Sequence, residues 1–280
     1  VNEDSDLYRA HPDWALSVPG RNPSRGREQL VLDFSRRDVR DHVYEQIKAV
    51  LSSADISYLK WDMNRSLTEV WSAALPADRQ GEVYHRYVLG VYEFAERLRR
   101  DFPDMLIEGC CGGGGRFDGG MLYYTPQIWC SDNTDAIDRL RIQYGTSFCY
   151  PVSAMGAHVS AVPNEANGRV TPLETRGTVA MSGTFGYEMD PSKTTPEEKE
   201  AIKQQIAFFK EHYHLIQHGD YYRLTDPFQN GPYTAWEQVA PDRREALVSL
   251  VSTEVHAAAP FRVLRLKGLD PQLTYQVNGG

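Results

Sequence analysis

Three short stretches of this chain hold residue types that are poor core material and good chemistry. In ISYLKWDMNR (56–65) a strand would put Lys60, Asp62 and Asn64 on one face, with Trp61 and Met63 on the other. An ammonium, a carboxylate and an amide in a row at a strand end are costly to bury unless they pair or bind a polar ligand. The row is either a salt-bridged strand end, Lys60 with Asp62, or a ligand-binding row in which Lys60 favours the ionised form of Asp62. In WCSDNTDAIDR (129–139) Asp132 ends an apolar run, and Asp135 and Asp138 follow at intervals of three. Helix capping explains Asp135 or Asp138 well, since aspartate suits an N-cap and the helix dipole; it explains Asp132 less well. Trp129 is either a core side chain or an aromatic wall of the kind that stacks on the apolar side of a sugar. In EGCCGGGGRFDGG (108–120) four consecutive glycines permit close backbone approach to a ligand. The stretch lacks the GK[ST] ending of a phosphate loop, so a neutral polar ligand fits it better, unless it is only a flexible loop.

Two carboxylates, Asp62 and Asp132, on separate strand ends suggest glycoside hydrolysis, one as nucleophile and the other as general acid, then base. Their separation would decide the stereochemistry: about 5–5.5 Å for retention and roughly 6.5–9.5 Å for inversion. The chemistry needs no metal and no organic cofactor.

The elements that must position these residues alternate. Strand candidates are 30–34, 56–62, 105–110, 127–132, a stretch near 147–155, and 184–189. Val39, Val43, Ile47 and Val50 recur at helical spacing after the first, and Val83, Tyr87, Val91, Phe94 and Leu98 after the second. Thr195-Pro196-Glu197-Glu198 predicts a capped helix start, and Gly219 suits its stop. Such alternation implies parallel strands with right-handed crossovers, in a (β/α) barrel or a doubly wound sheet. No GxGxxG follows the first strand, which disfavours a nucleotide-binding sheet and a sugar-nucleotide enzyme. Past Tyr222, runs at 235–240, 246–253, 261–268 and 273–279 read as antiparallel β, the start of a sandwich. With six strand candidates where a barrel needs eight, and a first residue Val1, both ends read as cut.

The 280 residues carry a net charge of −8, which gives no basic stripe for a nucleic-acid backbone. No apolar run of about 18 residues predicts a membrane span. Cys110, Cys111, Cys130 and Cys149 have no metal-type spacing and read as free thiols.

The segments YLKWDMNR (58–65), CCGGGGRFD (110–118) and WCSDNTDAIDRLRIQYG (129–145) resemble the signature segments of glycoside hydrolase family 36 α-galactosidases. DSDLYRAHPDW (4–14), GREQLVLDFS (26–35) and GDYYRL (219–224) resemble theirs too, in the same order. The resemblance implies a (β/α)8 TIM barrel over residues 1–222 with its N-terminal strands missing, and the start of a C-terminal β-sandwich over 223–280. It implies a retaining enzyme that removes terminal α-galactose from melibiose- or raffinose-type sugars, with Asp62 as nucleophile and Asp132 as acid/base. Arg27, Lys60, Trp61, Asn64, Cys110, Gly113 and Trp129 match substrate-binding residues. Where the family more often has Glu-Ser-Cys, this chain has Glu108-Gly109-Cys110. A cytoplasmic homo-oligomer, tetrameric in similar bacterial enzymes, is the expected state. A raffinose-synthase-type transgalactosylase or a non-catalytic galactoside-binding fragment are the alternatives.

Overall fold

The structure, a computed structural model, describes residues 1–229, 231–258 and 261–279. It divides into two compact units, Val1–Ile128 and Trp129–Gly280.

In the first unit, helix α1 (Asp6–Ala10) starts at Ser5, whose hydroxyl accepts from the Tyr8 amide. Then follow α2 (Arg37–Leu51), β1 (Tyr58–Asp62), α3 (Val83–Asp101), β2 (Leu106–Cys110), α4 (Gly119–Tyr124) and β3 (Gln127–Trp129). β1 and β2 are parallel, with Lys60 opposite Glu108 and Asp62 opposite Cys110. β2 pairs with β3 through Glu108 and Gly109 opposite Gln127 and Ile128. The expected alternation along β1 holds: Lys60 and Asp62 are exposed, while Leu59 and Trp61 pack inward against Phe94 and its neighbours. The stripe of α3 is buried as its spacing predicts. On α2 the stripe runs Val39, Val43, Ile47, Leu51, four residues per step, and Val50 falls off it, 62 % exposed.

The expected strand at 30–34 does not form. Leu32 makes only an isolated antiparallel bridge to Ala15, while Val31 and Phe34 serve the core through their side chains. Apolar content alone does not supply a strand partner.

In the second unit, Asp135 caps α5 (Ala136–Thr146). Next come β4 (Met155–Ser160), α6 (Leu173–Ala180), β5 (Thr184–Glu188), α7 (Pro196–Glu211), α8 (Tyr213–His218), β6 (Asp220–Arg223), β7 (Tyr233–Val239) and β8 (Ala246–Ser252). β4 and β5 are parallel; β6, β7 and β8 are antiparallel. The strand expected near 147–155 begins only at Met155, because Pro151 and a short 3-10 turn occupy the approach. The capping box of α7 forms as predicted between Thr195 and Glu198. Its helix breaks at His212 and resumes as α8. Gly219 ends α8 with φ −73°, not left-handed. A side chain there would meet the Leu215 carbonyl at 2.5 Å, so glycine serves close packing. The change of sheet type expected past Tyr222 starts at Asp220. Residues 261–268 and 273–279 form no strand. Among the described residues no helix is long and apolar enough to cross a membrane, and all four cysteines are free thiols.

Candidate active site

In the first unit the row on β1 is tied to its neighbours across the strand end. The Asn64 amide donates to Asp62 Oδ2 at 2.8 Å, and its Oδ1 accepts from the Gly112 amide at 3.0 Å. Asn64 thus links the Asp62 carboxylate to the glycine loop. Gly112 and Gly113 have φ of +53° and +81°, a left-handed backbone that glycine adopts without strain. Cys110, opposite Asp62 and 2 % exposed, has its thiol pushed up to about 12, chiefly by burial, with the Asp62 carboxylate it bonds adding to the effect. It stays protonated and acts as a donor. Arg116 supports the same loop, donating to the Cys110 carbonyl at 3.0 Å with its guanidinium 5.5 Å from the Trp61 ring.

Lys60 Nζ lies 3.5 Å from Glu108 Oε1. Glu108 is 0 % exposed, and Tyr58 Oη and Gln127 Nε2 donate to its other oxygen. The buried carboxylate anchors the lysine one step below Asp62. In the sequence Glu108 is a lone charge in the apolar run MLIEGC, two residues before Cys110. Arg27 sits exposed in the tight turn from Gly26 to Gln29 with φ +52°, and Glu28 has φ +59°. Two consecutive non-glycine residues in this region are strained, as at many ligand-contacting turns. Arg65, which sequence reasoning passed over within KWDMNR, pins that turn: its Nε donates to the Gln29 carbonyl at 2.9 Å and it also reaches the Ser24 carbonyl. A cavity of about 260 Å³ opens beside this group, lined among others by Gln29, Asp62, Asn64, Arg65 and Arg116. The structure brings together Lys60, Asp62, Asn64, Cys110 and the Gly113 loop. The Trp61 ring faces the other way, 5.2 Å from Phe94.

In the second unit Asp132 is exposed, three residues past the end of β3. The capping role falls to Asp135, whose Oδ2 accepts from the Asp138 amide at 2.9 Å, and Asp138 accepts from Asn133 at 2.8 Å. Capping therefore does not account for Asp132. Trp129 is 2 % exposed, with the His158 ring at 4.8 Å and the Arg139 guanidinium at 4.3 Å. A core role explains most of its ring.

The melibiase family model matches residues 1–219, and the model for the glycosyl hydrolase family 36 C-terminal domain matches residues 233–280. The chain is 57 % identical over 279 residues to alpha-galactosidase AgaA of Geobacillus stearothermophilus, covering 100 % of this chain and 38 % of that protein. It is 50 % identical over 276 residues to alpha-galactosidase Mel36A of Lactobacillus acidophilus, covering 99 % of this chain and 37 % of that one. The solved structure of a G. stearothermophilus AgaA variant with 1-deoxygalactonojirimycin superposes with a TM-score of 0.94 at 58 % identity, over 97 % of this chain and 38 % of that chain. Another AgaA variant was solved in complex with raffinose. The chain thus spans little more than a third of the length of these relatives. The fold class is the one that the strand–helix alternation and the resemblance implied: (β/α)8-barrel segments followed by antiparallel strands of a C-terminal sandwich.

Proposed function

The chain belongs to the melibiase family of glycosyl hydrolases, and from that premise we propose that it supplies the nucleophile and the acid/base of a retaining α-galactosidase. The observation that carries the proposal is the placement of two exposed carboxylates, Asp62 as the last residue of β1 and Asp132 three residues past β3. Asp62 is held by Asn64 and faces Cys110, while Asp135 takes the cap that would otherwise account for Asp132. An oxygen of Asp62 attacks the anomeric carbon of a terminal α-galactosyl unit as the glycosidic bond breaks. The proton of Asp132 passes to the leaving oxygen. Water then gives a proton to Asp132 and attacks the same carbon, and the Asp62 ester is released. Lys60, Asn64, the Cys110–Gly113 loop and Arg27 are assigned to the galactose hydroxyls. Trp129 is assigned to the pocket wall, and Trp61 to packing behind the nucleophile. Galactosides of the raffinose type are the proposed substrates, since an AgaA structure holds raffinose. The proposed domain division is a catalytic barrel to residue 222 and a sandwich from 223, with β6 at the join. A cytoplasmic homo-oligomer is the proposed state.

The test is hydrolysis of nitrophenyl α-galactoside and raffinose by the chain, carried in a polypeptide of its relatives' length. Asp62→Asn should abolish turnover. Asp132→Ala should slow poor leaving groups most and be partly rescued by azide. A near-normal rate in the Asp62 variant would sink the assignment.

A further inference from the structure

We propose that Arg139 is a positioning residue that fixes the acid/base loop on β4; the proposal rests on reading Asp132 as the acid/base. Arg139 lies in the first turn of α5 and is 3 % exposed. Its Nη2 donates to the Ser131 carbonyl at 2.6 Å and its Nε to the Asn133 carbonyl at 2.7 Å. These carbonyls belong to the residues on either side of Asp132, so one guanidinium grips the backbone before and after the carboxylate. Its Nη1 donates to the Gly156 carbonyl of β4 at 3.0 Å and reaches Cys130 Sγ at 3.0 Å. The same group lies 4.3 Å from the centroid of Trp129.

Burial of a cation costs several kcal/mol, and an apolar side chain of similar volume would fill the space without that cost. Three diverging carbonyls offset the cost only for a donor with a planar fork; a lysine ammonium is a single point that cannot reach all of them. The arrangement therefore specifies a geometry rather than filling a core. The loop from Cys130 to Asn133 has no strand or helix bonding of its own. Without the fork, the carboxyl of Asp132 would sample positions away from the leaving oxygen. A displacement near 1 Å is enough to cost about 10²-fold in a positioned step.

The test uses Arg139→Lys and Arg139→Met, beside Asp132→Ala. The readout is kcat/KM for raffinose, whose leaving group needs protonation, and for dinitrophenyl α-galactoside, whose leaving group does not. The expected result is a loss on the order of 10²-fold with raffinose, with the dinitrophenyl substrate near its parent value, in both Arg139 variants. A purely structural role would lower both substrates by the same factor. Equal losses, or no loss, would overturn the proposal, as would failure of both variants to fold. If Asp132→Ala itself lacks the leaving-group dependence, the acid/base reading has failed. If Asp132→Ala shows it and the Arg139 variants do not, only the role of Arg139 has failed.

Discussion

Gly90 on α3 packs directly on the carbonyl of Phe34, and its replacement by alanine tests whether that contact exists. An added Cβ would stand 1.9 Å from Phe34 O, 2.8 Å from Phe34 C and 2.9 Å from Arg40 Nη1. The helix and the 33–35 backbone would have to part by about 1.5 Å to restore ordinary separation. That carbonyl accepts from Arg40 Nη1 at 2.5 Å, while Arg40 Nε is held by Glu93 at 2.6 Å. The Phe34 ring also contacts Phe94 and Trp61, with centroids 5.3 and 6.5 Å away. Overpacking of this kind costs about 1–3 kcal/mol, and the charged hydrogen bond that it breaks is worth about 1.5–3 kcal/mol. Helix propensity returns about 1 kcal/mol on going from glycine to alanine. The net expectation for Gly90→Ala is a destabilisation of about 1.5–5 kcal/mol, read as a lower urea midpoint at unchanged slope. Gly145 on α5 is the control, because an added Cβ there meets nothing within 4 Å. Gly145→Ala should stabilise by roughly 0.5–1 kcal/mol. A Gly90→Ala midpoint equal to or above the parent's would refute the packing.

At pH 8 an alkylating reagent should modify exposed Cys149 and leave Cys110 intact, since burial pushes the Cys110 thiol up to about 12; peptide mapping reads it, and early label on Cys110 would contradict it. Asp101 is held down to about 2, first by the Tyr44 hydroxyl at 2.6 Å and then by Arg100. A lowered carboxyl contributes stability above its ordinary range and loses it as the pH falls from about 4 towards 2. Tyr44→Phe should therefore move the Asp101 titration upward, followed by carbon-13 NMR. Glu28→Asn should stabilise by about 0.5–1 kcal/mol, because asparagine tolerates the left-handed backbone better than glutamate; an unchanged melting temperature would argue against strain in that turn.

What the sequence made legible was local chemistry. The Thr195–Glu198 capping box, the cap at Asp135 and the common face of Lys60 and Asp62 each depend on a few neighbouring residues, and each formed. The run at 30–34 is as apolar as a true strand, yet what it becomes depends on which backbone lies beside it. In the stretch near 147–155 the strand starts only at Met155, because Pro151 and the 3-10 turn that follows it outweigh the aromatic content. The cross-strand pairs of Lys60 with Glu108 and Asp62 with Cys110 follow from register, which no single segment encodes. Arg139 carries no local signal of its role, because its partners are carbonyls placed by the loop and by β4.

The central claim is that Asp62 attacks the sugar. Exposure to a fluorinated α-galactosyl trap, followed by peptide mass spectrometry, tests it directly. The predicted result is one fluorogalactosyl group on the peptide containing Lys60-Trp61-Asp62, lost in Asp62→Asn. Label on another carboxylate, or turnover with no covalent intermediate and an inverted product, would contradict it.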